Sequence, residues 1–333
     1  MNTGVFFLFP GQGAQYQGMA LDLLESGGAG IKRLFELASD SSGRDMKALM
    51  REEAGTLKRT DISQPAITLA NLAAAAYLAE KGVSPSGCAG FSLGEYAALT
   101  AAGVISAEDC FALVTERGKA MQEAAEKLSA ADGGAPGMAA VIGLAPEQVE
   151  ALIAGWKEEK LPEGQELWAA NINSHRQTVI SGTARALKNG AARFSEAGAR
   201  RVVPLAVAGP FHSPLMEEAA LAFKPFLEKA AFRDPVLPLY SNVSGKQVHS
   251  GEEAKRLALA QITSPVRWTD EEKAIQEAGG FGACLETGPG AVLRGLWKDS
   301  GSPVPCYPAG TAEDIKKLFA TNDFFKEAAN GIT

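Results

Sequence analysis

The sequence predicts an α/β protein in which a smaller unit of β-α-β-β-α-β order interrupts a larger one. Three features carry that prediction. Through the first hundred residues, short apolar runs alternate with helical stretches, the pattern of a buried parallel sheet covered by helices. At residues 130–137, Ala-Ala-Asp-Gly-Gly-Ala-Pro-Gly, the composition breaks and a denser rhythm of strands and helices begins. After Pro210 the longer alternation resumes.

Taken in order, residues 5–9 (Val-Phe-Phe-Leu-Phe) form a first buried strand. Residues 67–80 are an Ala-rich helix with Pro65 near its first turn. Residues 87–90, Gly-Cys-Ala-Gly, are a short strand, and 93–102 a helix stopped by Gly103. Residues 107–126 continue as helix, with Ser106 as N-cap and Glu108 and Asp109 at the positive end of the dipole. Strands then fall at 138–142, 167–172, 178–181 and 201–207, and helices at 146–154 and 183–197, which is the ferredoxin-like order. The expected organisation is a small domain over 134–206 inserted into a larger one made of 1–133 and 207–333, with the polar stretch 157–166 as a loop of the insert. Beyond it come a helix at 215–231, strands at 237–241 and 281–286, a turn at 286–290 and a helix at 292–298. The tail from Thr311 reads as a peripheral, mixed-charge helix.

A chain of 333 residues, 46% hydrophobic and 21% charged, has the composition of a soluble globular protein with a large core. Its net charge of −7 argues against a nucleic-acid binder and leaves room for a local basic patch. Cys88, Cys110, Cys284 and Cys306 are far apart, fit no metal spacing and read as free thiols of a reducing compartment. The apolar run at 5–8 is too short for a signal peptide or a membrane span. The expectation is a cytoplasmic protein without a membrane partner, monomeric by default.

Residues 90–95, Gly-Phe-Ser-Leu-Gly-Glu, read G-x-S-x-G between a strand and a helix. That pattern sets a serine on a sharp turn, its hydroxyl projecting and the neighbouring N–H groups free. Ser92 is then either a nucleophile or the cap of the following helix; the motif alone does not choose. A nucleophile needs a base, and three histidines are available. His175 falls in the insert and His249 in the polar stretch 246–251, a surface turn. His212 lies in a loop after a strand, where open α/β sheets keep their sites, and is the best base by position. Gly11-Gln12-Gly13-Ala14-Gln15 follows the first strand. Tyr16 breaks a dinucleotide fingerprint there, and the loop is suited instead to donating N–H groups to an oxyanion. Arg117 is either a solvated helical arginine or, facing the site, a bidentate partner for a carboxylate.

Taken together these stretches resemble the malonyl-CoA:acyl carrier protein transacylases, the acyltransferase family of fatty-acid and polyketide synthesis. The likeness runs over roughly residues 4–310. It rests on Phe9-Pro10-Gly11-Gln12-Gly13-Ala14-Gln15, residues 90–95, Arg117-Gly118 with Met121, Asn171-Ile172-Asn173-Ser174, Gly209-Pro210-Phe211-His212-Ser213, Gln261 with Pro265-Val266-Arg267-Trp268, and Glu286-Thr287-Gly288-Pro289-Gly290. The resemblance implies an α/β-hydrolase-like large domain with a ferredoxin-like insert. It implies Ser92 as nucleophile and His212 as base, a dyad oriented by a backbone carbonyl near Gln261. Backbone N–H groups of Gln15 and Leu93 would make the oxyanion hole. Arg117 would hold the malonate carboxylate, with Met121, Phe211, Gln261 and Asn171 also binding substrate and Phe211 crowding a 2-methyl branch. Malonyl-CoA and acyl carrier protein would be substrate and partner, joined through a malonyl-serine intermediate, with no metal or other cofactor.

Two departures stand out. Phe91 occupies the place beside the nucleophile where His is usual, and His175-Arg176 stands where Pro-Gly is common. The acidic carrier would find a basic face at Lys188, Arg193, Arg200 and Arg201, unless these are simply a solvated helix face. An acyl-thioester hydrolase, a polyketide-pathway acyltransferase and an inactive scaffold on the same frame are the competing readings.

Overall fold

The structure, a computed structural model, describes residues 4–53, 55–131, 134–158 and 165–330. Part of the expected composition break (132–133) and most of the expected insert loop (159–164) lie outside the described residues.

The chain opens with β1 (Val5–Phe9), buried along its whole length, followed by α1 (Leu21–Ser26), α2 (Ala29–Ser42) and α3 (Met46–Leu49). Helix α4 (Thr60–Glu80) is long and apolar enough by composition to cross a membrane, but most of it is buried inside the protein. It begins seven residues before the expected start, so Pro65 lies within it rather than at its first turn. The reason is tertiary. The Thr60 N–H, an end group with no partner in its own helix, is taken by the Gln122 carboxamide at 3.0 Å from a neighbouring helix.

β2 (Gly87–Gly90), α5 (Gly94–Ala101) and α6 (Ala107–Ala131) follow. Ser106 caps α6 as expected, its hydroxyl accepting from Asp109 N–H at 3.0 Å. Next come β3 (Gly137–Ile142), α7 (Pro146–Glu158), β4 (Leu167–Ser174), β5 (Gln177–Gly182), α8 (Ala184–Glu196) and β6 (Arg201–Pro204). β6 stops short of residue 207, because its pairing to β3 ends at Ala139↔Pro204 and the chain turns toward the cleft.

Helix α9 (Glu217–Lys229) leads to β7 (Leu239–Ser241), β8 (Lys246–Val248), α10 (Gly251–Ala260) and α11 (Trp268–Ala278). The stretch before His249, expected as a surface turn, thus contains an edge strand. β9 (Ala283–Glu286), α12 (Val292–Asp299), β10 (Cys306–Pro308), α13 (Ala312–Thr321) and α14 (Asp323–Asn330) complete the chain. The tail is two helices rather than one, and it is not peripheral. Ile315, Leu318 and Phe325 are buried in the main core, because one face of these charged helices is apolar.

The strands form two sheets. One has six strands in the order β10-β9-β1-β2-β7-β8, parallel except for the antiparallel β8. The other has four antiparallel strands in the order β4-β5-β3-β6. Asn171 of β4 bridges to Val266, with Ile172 N–H donating to Val266 C=O and Val266 N–H to Ala170 C=O, both at 2.8 Å. These bonds hang the small sheet over the strand ends of the large one. The four cysteines are free thiols, three of them buried.

Candidate active site

β1 and β2 end side by side, and each runs into a loop that the next helix leaves sharply. At the end of β2 the turn is tight: a Cβ on Gly90 would meet Gly94 backbone at 2.1 Å, and one on Gly94 would meet Phe9 C=O at 2.0 Å. Only glycine fits either place. Between them Ser92 is forced to φ 50°, a region non-glycine residues rarely enter.

The Ser92 hydroxyl meets His212 Nε2 at 2.7 Å. His212 itself sits at φ 58° in the loop after β6, and its Nδ1 lies 2.9 Å from the backbone carbonyl of Gln261. A carbonyl only accepts, so Nδ1 carries the proton and Nε2 accepts from Ser92. Burial, and then the charge of Arg117, push the His212 pKa down to about 4. The imidazole is therefore neutral at physiological pH and free to take a proton.

A cavity of about 180 Å³ opens over this pair, between the two sheets. Phe211 and Asn171 line it with Ser92 and His212, as do Gln12, Phe91 and Asn173. Phe91 packs its ring on Trp268, with centroids 5.3 Å apart, and presents no polar atom where a histidine is usual in the resembled family. His175 and Arg176 form the exposed turn between β4 and β5, and of that turn's neighbours Gln177 reaches the cavity.

Beneath the pair lies a buried polar layer. Arg117 is fully buried; one guanidinium nitrogen donates to Gln64 Oε1 at 2.8 Å and another to Gln261 Oε1 at 2.9 Å. Its Nε has no hydrogen-bond partner among the described residues, and the guanidinium does not line the open cavity. Burial lowers its pKa, an effect opposed by Tyr96 and Glu95. Met121 accepts from Gln64 Nε2 through its sulfur at 3.3 Å, so it steadies the glutamine that holds Arg117. Gln261 links everything: its Nε2 donates to Ser92 C=O at 3.1 Å and to Glu95 Oε2 at 2.8 Å.

Leu93 N–H, at the start of α5, has no acceptor among the described residues. A Cβ on Gly11 would lie 3.6 Å from that nitrogen, so the first loop closes directly against it. Of the two glutamines of this loop, it is Gln12 that lines the cavity, with Pro10, Gly11 and Ala14. Gln15 does not line the cavity; its Oε1 accepts from Gly13 N–H at 2.7 Å. Gln12, Gln64, Glu95 and Asn242 are thus site residues the sequence reading did not single out. Gln12 and Glu95 stood inside quoted motifs, and Asn242 directly follows a predicted strand, but nothing in the sequence marked Gln64. Glu286, in the last motif, is structural: its carboxylate accepts from Leu293 and Arg294 N–H at 3.0 and 2.9 Å and caps α12. Among the described residues no cluster of His, Cys, Asp and Glu has the makings of a metal site.

A hydroxyl, an imidazole and a carbonyl in line at the strand ends of a parallel sheet define a class: α/β proteins equipped for acyl chemistry on a serine. The chain belongs to the acyl transferase domain family, whose pattern matches residues 6–316. It is 38% identical to the malonyl CoA-acyl carrier protein transacylase of Bacillus subtilis, over 88% of this chain and 89% of that one. Among solved structures it resembles the malonyl CoA-acyl carrier protein transacylase of Coxiella burnetii, with a TM-score of 0.87 at 32% identity, covering 96% of this chain and 98% of that chain. It also resembles a malonyl-transacylase solved in complex with a type II polyketide acyl-carrier protein, with a TM-score of 0.86 at 35% identity, covering 96% of this chain and all of the other.

Proposed function

We propose that this protein is an acyl carrier protein S-malonyltransferase: it moves malonyl from malonyl-CoA to the phosphopantetheine thiol of acyl carrier protein through a malonyl ester of Ser92, supplying fatty-acid synthesis. The observation that carries the mechanism is the 2.7 Å contact of the Ser92 hydroxyl with a neutral His212. His212 takes the serine proton as the hydroxyl attacks the thioester carbonyl. The tetrahedral oxyanion is met by the N–H groups of Leu93 and, in place of the expected Gln15, Gln12; each donor is worth about 3 to 4 kcal/mol in comparable sites. His212 then protonates the departing CoA thiolate. The carrier thiol attacks the ester by the reverse sequence, giving ping-pong kinetics. The chemistry calls on no metal or redox cofactor.

Arg117, whose charge acts on His212, is the partner for the malonate carboxylate. It would exchange one of its glutamine contacts for the substrate. Phe211 narrows the cavity beside the base and disfavours a 2-methyl branch. Asn171, on the cavity wall, would also contact the substrate.

We read the four-stranded sheet with α7 and α8 as a ferredoxin-like insert over 134–206, and the rest, 1–133 and 207–333, as an α/β-hydrolase-like domain. The strand orders of the two sheets support that division. The carrier would dock on the insert. Lys188, Arg200 and Arg201 are exposed there, whereas Arg193 lies over the Trp156 ring at 4.7 Å and serves packing first. The protein is read as cytoplasmic and monomeric.

The test is transfer from malonyl-CoA to holo acyl carrier protein by the wild type and by Ser92→Ala, with fatty-acid and polyketide carriers side by side. Loss of at least about a thousandfold in the variant is expected. Transfer that survives the substitution contradicts the reading.

A further inference from the structure

β2 is paired on one side by β1 and on the other by β7. On the β7 side the ladder is brief: Cys88 is opposite Leu239, and Cys88 N–H donates to Pro238 C=O at 2.9 Å. β7 ends at Ser241, so no strand remains to pair the turn that carries the nucleophile. The side chain of the next residue takes that place. Asn242 Nδ2 donates to Gly90 C=O at 2.7 Å, and its Oδ1 accepts from Ser92 N–H at 2.6 Å. In a parallel ladder one residue engages the C=O before and the N–H after its opposite number. The carboxamide of Asn242 does the same for Phe91. On the other edge Phe91 N–H donates to Phe9 C=O at 2.9 Å, so the turn is held from both sides.

Asn242 is itself immobilised. It is fully buried, its N–H donates to Glu95 Oε2 at 3.0 Å, its C=O accepts from Arg267 N–H at 2.8 Å, and its Nδ2 also reaches Glu271 Oε2 at 2.7 Å. The residue it holds, Ser92, is at φ 50°, where a serine stays only when its surroundings over-determine it.

We propose that Asn242 is the positioning residue of the nucleophile, acting as a side-chain strand that clamps the backbone on either side of Phe91 and so aims the Ser92 hydroxyl at His212. The clamp spends Ser92 N–H on Asn242, which leaves the oxyanion to Leu93 N–H on this turn. The task needs a donor and an acceptor on one short planar group. Aspartate has the shape but lacks the donor, and it would add a third carboxylate beside Glu95 and Glu271.

The test uses Asn242→Asp and Asn242→Ala in the full chain. Four quantities are read: the rate at which a fluorophosphonate labels Ser92, kcat and KM for malonyl transfer, and the midpoint of thermal unfolding. Labelling and kcat should each fall about 100-fold, as for a reacting group displaced by about an ångström, while KM for malonyl-CoA changes by less than about threefold. A folded variant labelled within about threefold of wild type overturns the proposal. If neither variant folds, the Ser92 amide of the wild type decides: a downfield, exchange-protected resonance is expected, and a freely exchanging amide overturns the clamp. The inference rests on Ser92 being the nucleophile of the proposed reaction. Because a fluorophosphonate reads any activated serine, a wild type labelled at Ser92 but inert to malonyl-CoA would sink the malonyl assignment and leave the clamp standing.

Discussion

Ser92 and His212 both hold positive φ angles, 50° and 58°, and their side chains meet at 2.7 Å. Of the described non-glycine residues, Ala20 alone shares this backbone region with them. Such conformations cost about 1 to 3 kcal/mol each, and two of them converge on a single hydrogen bond. The fold sustains that cost with groups that surround the pair: the close contacts at Gly90 and Gly94 on one side, and the Gln261 carbonyl on the other.

The acid limb of activity should lie unusually low. With its pKa pushed down to about 4, His212 stays neutral over the range in which an ordinary histidine gains its proton. The acid limb of kcat/KM for malonyl-CoA should therefore be centred near pH 4. Stability follows the same group. Between about 4 and 6.5 the unfolded chain protonates this histidine and the folded one does not, so its contribution to stability is lost as pH falls through that window. A limb near 6.5 would contradict the geometry.

Arg117→Ala should lower malonyl transfer at least about tenfold more than acetyl transfer, because a charge-assisted pair with the substrate carboxylate is lost. It should also lower acetyl transfer somewhat, since Arg117 anchors Gln261, whose carbonyl orients the base. With the cation gone, the acid limb should move toward higher pH. Ratios of kcat/KM for the two thioesters check this.

Phe211→Ala should raise kcat/KM for methylmalonyl-CoA relative to malonyl-CoA by about tenfold, the scale of one methyl group in a pocket. Competition between the two thioesters measures the ratio directly. The residue is buried against the cavity, and its backbone carbonyl is held by the Ser181 hydroxyl, so the loop should keep its course without the ring.

Glu272→Gln should stabilise the protein in mild alkali and do little in acid. Burial raises the Glu272 pKa to about 8, while its Oε1 accepts from Trp268 Nε1 at 2.8 Å. Between about 4.5 and 8 the folded state holds a proton that the unfolded state has released, so this carboxyl costs stability as pH rises. Glutamine keeps the acceptor and removes the titration. Unfolding at pH 8 and pH 4 should show a gain on the order of a few kcal/mol, about 1.4 for each pH unit of that window, at the higher pH only.

Much of this was legible in the chain because the signals are local. The buried strand at 5–9, the G-x-S-x-G turn, the Ser106 cap and the β-α-β-β-α-β order each depend on neighbours in sequence, and they stand where expected except that the last strand of the run ends at Pro204. What escaped depends on partners far away. The early start of α4 hangs on Gln122, sixty-two residues distant. The tail reads as polar, yet one face of it completes the main core. Gln12 and Gln15 both stand in the motif, and only the fold shows that Gln12, not Gln15, lines the cavity. Arg117 was expected to face the substrate, but a single sequence gives no sign that Gln64 and Gln261 already occupy its fork.

The central claim is that malonyl passes through Ser92 to a carrier thiol. Intact-protein mass spectrometry after brief mixing with malonyl-CoA, and again after adding holo acyl carrier protein, tests it most directly. The account predicts a malonyl adduct on Ser92 that then moves to the carrier. An adduct lost to water without transfer, or no adduct at all, would contradict it.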